Sequence, residues 1–360
     1  MKNSEILCIV AGGSGGHILP ALSLGRKWLH SKSNREILFI SGNKKIDQSL
    51  LKNEKTFSHL KKISLHNIPG KKLWFYPVFC IKFIYAFIKS FVILTYFRPK
   101  RILTTGGLIS LPVCAAAKFL LIPIDLYELN VMPGRAIKVL APFASKVFFT
   151  FEKSKTFFNS SATRLNKYET CDYPLQFNED AHTNDRKGVF HLINTIIDES
   201  PIELHKHFES CRKTLFILGG SQGSVFLNGI IKKWLLNHKD SIDNLQIIHQ
   251  TGSVDKTDWD VFYQALGIPY FVFAYSTDIK DFYVLADFVI SRGGAGALFE
   301  LEYFKKKSLI VPLTQQAANH QVVNATEMSK QNPDLFAVCD PRDIEKDTTT
   351  FYNAVQSLVN

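Results

Sequence analysis

The chain has 360 residues, of which 46% are hydrophobic and 21% charged, a globular rather than a disordered composition with room for two cores. Its net charge of +11 is uneven: residues 1–160 hold 24 Lys and Arg against 7 Asp and Glu, while the remainder is net −6, so the first half is expected at an anionic surface. Six cysteines (Cys8, Cys80, Cys114, Cys171, Cys211, Cys339) are scattered without a CxxC pair, which fits reduced thiols in a cytoplasmic compartment better than a disulfide framework or a zinc site.

Residues 1–5 lead directly into a strand, so no signal peptide is expected. Short apolar runs then alternate with longer helical ones, the pattern of parallel sheets with crossover helices. In the first half the strands are expected at 5–11, 36–41, 59–64, 100–105, 123–128 and 145–150, with helices at 20–30, 111–121 and 133–141 among them. Residues 166–212 are polar and irregular and read as a junction carrying a possible insertion, although 188–197 would also fit a strand. The pattern restarts at 214–218, followed by a helix at 225–236 and strands at 244–250, 268–274, 286–291 and 307–311. The expected division is therefore 1–165, a junction at 166–212, a second domain at 213–340, and a helix at 341–360 that could pack back on the first domain.

Residues 73–97 depart from this pattern, being almost entirely apolar and aromatic. A helix over 77–97 would run about 31 Å, enough to span a bilayer. Three readings stand: a membrane span, a buried core helix, and an interfacial helix. Lys82 and Lys89 count against the first two, and a span would also part strands of one sheet. Lys71, Lys72, Arg98, Lys100 and Arg101 flank the segment and favour an interfacial helix on anionic lipid, with Trp74, Phe79, Phe83, Phe87 and Phe91 as the docking side chains.

Two glycine-rich turns carry the chemistry. Gly12-Gly13-Ser14-Gly15-Gly16-His17 follows the first strand, and Gly219-Gly220-Ser221-Gln222-Gly223 follows the strand that opens the second half. Each precedes a helix, where backbone N–H groups can approach an anion without an intervening side chain. The first turn fails the dinucleotide fingerprint, because Ile18 stands where the third glycine would be, and no GKS or GKT marks a P-loop. His17, at a strand's carboxyl edge, suits a general base. Gly106-Gly107 enters a third helix, and Glu128 and Asn130 follow the strand at 123–128. Ser291-Arg292-Gly293-Gly294-Ala295 opens a helix bearing Glu300, a candidate acceptor for ribose hydroxyls, and Asn319-His320-Gln321 offers polar side chains for a sugar. Asp258-Trp259-Asp260 reads as a helix cap, and neither a metal nor a cofactor is expected.

GGSGGH at 12–17, GGLIS at 106–110, E-x-N at 128–130, GGSQG at 219–223, SRGGAGALFE at 291–300 and NHQ at 319–321 occur in one order. That series resembles the peptidoglycan N-acetylglucosaminyltransferases of glycosyltransferase family 28, which convert lipid I to lipid II. The resemblance implies an α/β GT-B fold, two Rossmann-like domains with parallel sheets facing a central cleft. It implies inverting, metal-independent transfer of N-acetylglucosamine from UDP-N-acetylglucosamine to the C4 hydroxyl of undecaprenyl-diphosphate-linked muramyl-pentapeptide. Gly13, Ser14, Gly15, Gly16, Gly106 and Gly107 would then face the acceptor diphosphate, and His17, with Glu128 as substitute, would be the base. Asn130, Ser221, Gln222, Gly294, Ala295, Glu300, His320 and Gln321 would serve the donor. The implied location is peripheral, on the cytoplasmic face of the cell membrane, with cell-wall or division proteins as further partners and no nucleic acid.

The chain departs from that family at the junction, where Gly-Asn-Pro-Val-Arg is replaced by Asp172-Tyr173-Pro174-Leu175-Gln176, which lacks the arginine that helps to hold the donor. Arg164 is one candidate to replace it. Tyr127 also stands where the family usually has His. Two other functions fit the same features: a GT-B enzyme acting on diacylglycerol, separable by acceptor assays, and a non-catalytic nucleotide-sugar-binding subunit, excluded by UDP release.

Overall fold

The computed structural model describes residues 4–65, 74, 76–158, 166–177, 186–198, 206–220, 223–239, 242–276, 279–314 and 319–359. The chain divides into two compact units, Met1–Gln176 and Phe177–Asn360.

In the first unit the elements follow as β1 (Glu5–Val10), α1 (Gly15–His30), β2 (Arg35–Ser41), α2 (Lys45–Leu51), β3 (His59–Lys62), α3 (Tyr76–Phe97), β4 (Arg101–Thr104), α4 (Ser110–Phe119), β5 (Ile124–Glu128), α5 (Arg135–Leu140), β6 (Lys146–Phe149) and β7 (Tyr168–Thr170). The second unit repeats the alternation: α6 (Arg186–Asp198), β8 (Lys213–Leu218), α7 (Val225–Asn237), β9 (Leu245–Gln250), α8 (Trp259–Leu266), β10 (Tyr270–Phe273), α9 (Lys280–Leu285), β11 (Phe288–Ser291), α10 (Ala295–Tyr303), β12 (Lys307–Ile310), α11 (Asn319–Gln331), β13 (Phe336–Val338), α12 (Pro341–Lys346) and α13 (Thr348–Val359).

Both sheets are parallel and wound alike, in the orders β3-β2-β1-β4-β5-β6-β7 and β10-β9-β8-β11-β12-β13. The order reverses between β1 and β4 and again between β8 and β11, and open α/β sheets bind ligands outside the carboxyl ends of such strand pairs. Val10 pairs with Thr104, and Leu218 with Ser291, so the strand ends at each reversal are level and their loops emerge side by side. Cys8, Ile9, Val10, Leu38, Phe39 and Ile40 are sealed from solvent, as parallel strands covered on both faces require.

Several expectations are corrected. Residues 188–197 belong to a helix rather than a strand. Val189, Phe190, Ile193 and Ile197 are buried at helical spacing, and Arg186 grips Asp287 with two hydrogen bonds of 2.9 and 2.8 Å. The expected junction thus supplies β7 to the first sheet and α6 to the second unit. The described part of that segment, 341–359, forms two helices, and Phe351, Val355 and Val359 of α13 are buried in the second unit's own core.

Helix α3 lies against α4, as expected of a helix within the first unit, but its faces are not those read from sequence. The side turned inward carries Ala86, Ser90, Ile93 and Leu94, because small residues let two helices approach closely. Phe79, Phe83 and Phe87 are half-buried, with the Phe87 ring meeting Phe119 edge-on at 5.6 Å. The exposed side consists of Val78, Ile81, Ile84, Tyr85, Ile88, Phe91, Val92 and Tyr96, with Trp74 92% exposed just before it. Three of the five expected docking side chains therefore pack inward to a large degree. Trp74 and Phe91 face solvent.

Candidate active site

In the first unit the turn after β1 depends on Gly13, whose φ of +90° is one that L side chains rarely adopt. Its N–H donates to Asp47 Oδ1 at 2.7 Å, and Asp47, on α2, is buried. Gly13 is thereby committed to a carboxylate, and the N–H groups left to meet an anion are those of the first turn of α1, at Gly15 and Gly16. Lys44 Nζ lies 3.9 Å from where a Gly13 side chain would begin, and the Lys44 N–H donates to Asp47 Oδ2 at 3.3 Å.

The loop after β4 packs on this turn. Gly107 (φ +88°) leaves no room for a side chain, since a Cβ would sit 2.9 Å from the Gly12 carbonyl. His17 stands at the seam. Its Nδ1 is 2.8 Å from the Thr105 carbonyl, and the Thr105 hydroxyl donates back to the His17 carbonyl at 2.9 Å. A carbonyl only accepts, so Nδ1 donates, and the neutral ring carries its lone pair on Nε2. That is the tautomer a proton-accepting histidine needs. Gly13, Ser14, Gly15, Gly16, His17, Gly106 and Gly107 thus form one cluster.

Glu128 and Asn130 lie one strand further on and serve each other. Glu128 Oε1 accepts from the Asn130 N–H at 2.9 Å, and Oε2 accepts from the Gly134 N–H at 2.8 Å, ahead of α5. Burial pushes the Glu128 carboxyl up to about 7, against those N–H bonds, which pull it down. At 2% exposure and with both oxygens engaged, Glu128 holds the 129–134 loop.

In the second unit the turn after β8 bends through Gly220 (φ +81°) and Gly223 (φ +77°), and Ser224 caps α7 by accepting the Leu227 N–H at 3.3 Å. Ser221 and Gln222, and likewise Arg164, lie outside the described residues. Arg292 Nη1 donates to the Gly219 carbonyl at 3.2 Å and to that of Gly223 at 3.0 Å. One guanidinium therefore ties the loop after β11 to the loop after β8. Gly293 packs directly on the Gln321 backbone, where a Cβ would strike the carbonyl, and Gln321 Oε1 accepts the Leu313 N–H at 3.1 Å. Gly294, Ala295, His320 and Gln321 are drawn to the same edge as the glycine turn. Gly294 has open space beside it.

Glu300 stands on α10 behind that edge, half-buried, with its Oε2 accepting the Tyr283 hydroxyl at 2.8 Å. Burial raises its carboxyl to about 7, and the Tyr283 bond opposes that rise. Asp258 accepts the Val261 N–H at 3.1 Å as the cap of α8, as the sequence suggests. Asp47, Thr105, Arg292 and Tyr283 bond to these candidate residues, and sequence reading gave none of the four a role.

The glycosyltransferase family 28 N-terminal domain model matches residues 7–149, and the glycosyltransferase family 28 C-terminal domain model matches residues 214–349. The UDP-N-acetylglucosamine–N-acetylmuramyl-(pentapeptide) pyrophosphoryl-undecaprenol N-acetylglucosamine transferase of Trichlorobacter lovleyi is 30% identical over 333 residues, covering 90% of this chain and 83% of its own. The protein of the same name from Caldicellulosiruptor saccharolyticus is 30% identical over 339 residues, covering 92% and 84%. Among solved structures, MurG of Acinetobacter baumannii superposes with a TM-score of 0.67 at 19% identity, covering 99% of this chain and 93% of that one, a likeness of fold.

Proposed function

Since the chain belongs to the family 28 N-acetylglucosaminyl transferases, we propose that its first unit holds the lipid-linked acceptor and its second the nucleotide donor. The reaction is transfer of N-acetylglucosamine from its UDP carrier to N-acetylmuramyl-(pentapeptide) pyrophosphoryl-undecaprenol. The observation that carries the assignment is that each unit has a φ-positive glycine turn and a helix N-terminus at its own point of strand-order reversal. A diphosphate is what such a turn accommodates, and both substrates contain one.

In this reading His17 Nε2 takes the proton of the acceptor C4 hydroxyl while that oxygen attacks C1 of the sugar from the face opposite UDP. The C1–O bond to the diphosphate breaks, UDP leaves with the electron pair, and the configuration at C1 inverts. The first turn of α7 meets the charge on the leaving group. Arg292 keeps the loop before it in shape. Ser221 and Gln222 complete the donor turn, Gly294 and Ala295 line its neighbour, Glu300 takes the ribose, and Asn130, His320 and Gln321 read the sugar. No divalent cation is required in this scheme. Transfer of labelled N-acetylglucosamine to a short-chain lipid I analogue should continue in excess EDTA; loss of activity that added magnesium restores would overturn the cation-free step.

The exposed side of α3 supports docking on a membrane, with Lys89, Arg98 and Lys100 exposed along and beyond it. The proposed location is peripheral, on the cytoplasmic face. Burying an isoleucine contributes about 1.5–3 kcal/mol. Replacing Ile84 and Ile88 together by Asp should therefore lower partition onto anionic vesicles by at least about 100-fold without loss of fold. Phe87→Ser should instead lower the melting temperature, because that ring packs on Phe119. Unchanged sedimentation of the double variant would remove this face from the membrane.

A further inference from the structure

The second unit begins at Phe177, and that half-buried ring enters an aromatic cluster. Its centroid lies 5.1 Å from Phe304 edge-on, 6.1 Å from Tyr303 in a stacked pose, and 6.2 Å from Tyr283 edge-on. Tyr283 is sealed from solvent. It stacks on Phe304 at 5.1 Å with 17° between the planes and meets the edge of Phe216 at 5.5 Å. A ring held on several sides can point its hydroxyl in only one direction, and that direction is Glu300 Oε2 at 2.8 Å. Glu300 itself is a flexible side chain on α10. Rigidity therefore passes from the Phe177 wedge to the Tyr283 ring and on to the carboxylate.

We propose that Phe177 is a positioning residue for the donor nucleotide, acting through Tyr283 to hold the Glu300 carboxylate in place for the ribose. The proposal rests on the reading of Glu300 as the ribose acceptor. Phe177 excludes water from the Tyr283–Glu300 pair, and Tyr283 aims the carboxylate. Hydroxyl donors of a ribose bond better to the ionised carboxylate than to the acid. Two other titratable groups sense Glu300: the phenols of Tyr283 and Tyr275, both raised by burial first and by the Glu300 charge second.

The sign of the pH dependence follows. With Glu300 near 7, UDP binds most tightly above that pH, and affinity falls as acid protonates the carboxyl, by up to tenfold per unit. Removing the Tyr283 hydroxyl takes away a bond that favours the ion and moves the midpoint up. Removing the Phe177 ring admits water, which moves the midpoint down and loosens the carboxylate.

The test uses the full chain, with UDP titrated calorimetrically between pH 5.5 and 8.5 and initial rates measured against each substrate. Glu300→Gln provides the profile of the nucleotide's own phosphate. Phe177→Ala and Phe177→Leu are the wedge variants, the second keeping enough apolar volume to fold. The expected result is a donor KM and UDP Kd raised about tenfold for alanine and at least threefold for leucine. The acceptor KM should not change, kcat should stay within about twofold, and the midpoint should be displaced downward. Tyr283→Phe should displace it upward. If Glu300→Gln flattens the pH dependence while both Phe177 variants bind UDP like the parent, the Phe177 role is overturned and the ribose reading stands. If Glu300→Gln changes neither affinity nor its pH dependence, the ribose reading falls and the proposal with it. Donor and acceptor KM rising together in Phe177→Leu would show general loosening and would also overturn it.

Discussion

Replacing His17 by alanine should lower kcat about a thousandfold, the middle of the range that a positioned general base contributes, while the donor KM stays near its parent value. The substitution is clean because it leaves the backbone bond in place: the Thr105 hydroxyl donates to the carbonyl of residue 17, whatever its side chain. What is lost is the ring whose Nδ1 is pinned to the Thr105 carbonyl and whose Nε2 holds the lone pair. His17→Asn separates proton transfer from binding, since its amide can still donate toward Thr105 but has no basic nitrogen. It should keep acceptor affinity and leave turnover low. Rates measured at saturation with both substrates decide this. A His17→Ala enzyme turning over near the parent rate, or an asparagine variant that recovers it, removes the histidine from proton transfer.

Much of the fold was legible because parallel strands bury both faces and so read as unbroken apolar runs. Glu5–Val10 and Lys213–Leu218 are of that kind, and the strands after them recur at crossover spacing. Two short strands escaped. Tyr168–Thr170 and Phe336–Val338 each have three residues and close the far edges of their sheets, too few for any periodicity to register. Helix α6 escaped for another reason: its buried positions Val189, Phe190, Ile193 and Ile197 were present at helical spacing, but the polar stretches around it resembled a linker. The faces of α3 were hidden by excess rather than lack of signal. A helix apolar on most sides, with only Lys82 and Lys89 charged, offers little polarity contrast, and its inner side was chosen by the small size of Ala86 and Ser90.

At the site, the residues that could be read were those whose chemistry is local. Gly13, Gly106 and Gly107 all have positive φ, and glycine announces such positions in the sequence. The missed residues act across the chain. Asp47 reaches Gly13 across 34 positions, and Arg292 reaches Gly219 across 73. No spacing rule links such pairs; they meet because the sheet order places β2 beside β1 and β11 beside β8. Glu128 is the opposite case. Its place after β5 suggested a catalytic acid or base, whereas the backbone folds round so that its own loop occupies both oxygens.

Gly223→Ala should abolish transfer, with at least a hundredfold loss in kcat/KM, although the protein folds. Two independent obstacles meet at this residue. Its φ of +77° costs an L side chain about 1 kcal/mol. The new Cβ would also press into the Thr251 carbonyl and lie 2.8 Å from the Gly252 Cα, both of them backbone with no rotamer to yield. The turn must therefore shift, and with it the Gly223 carbonyl that Arg292 grips at 3.0 Å, so the first turn of α7 no longer meets the diphosphate where it stood. A displacement of about 1 Å at a reacting centre is enough for a hundredfold effect. Gly229→Ala, six residues along on the exposed side of the same helix, has nothing within 4 Å of its new methyl and serves as the control. There the helix gains about 1 kcal/mol and activity is unchanged. UDP titration and melting curves on the two variants distinguish a damaged turn from a damaged fold: the first should lose nucleotide affinity with a melting temperature within a few degrees of the parent. A Gly223→Ala protein that binds UDP normally would mean that the donor diphosphate does not rest on this turn, and the division of substrates between the two units would have to be redrawn.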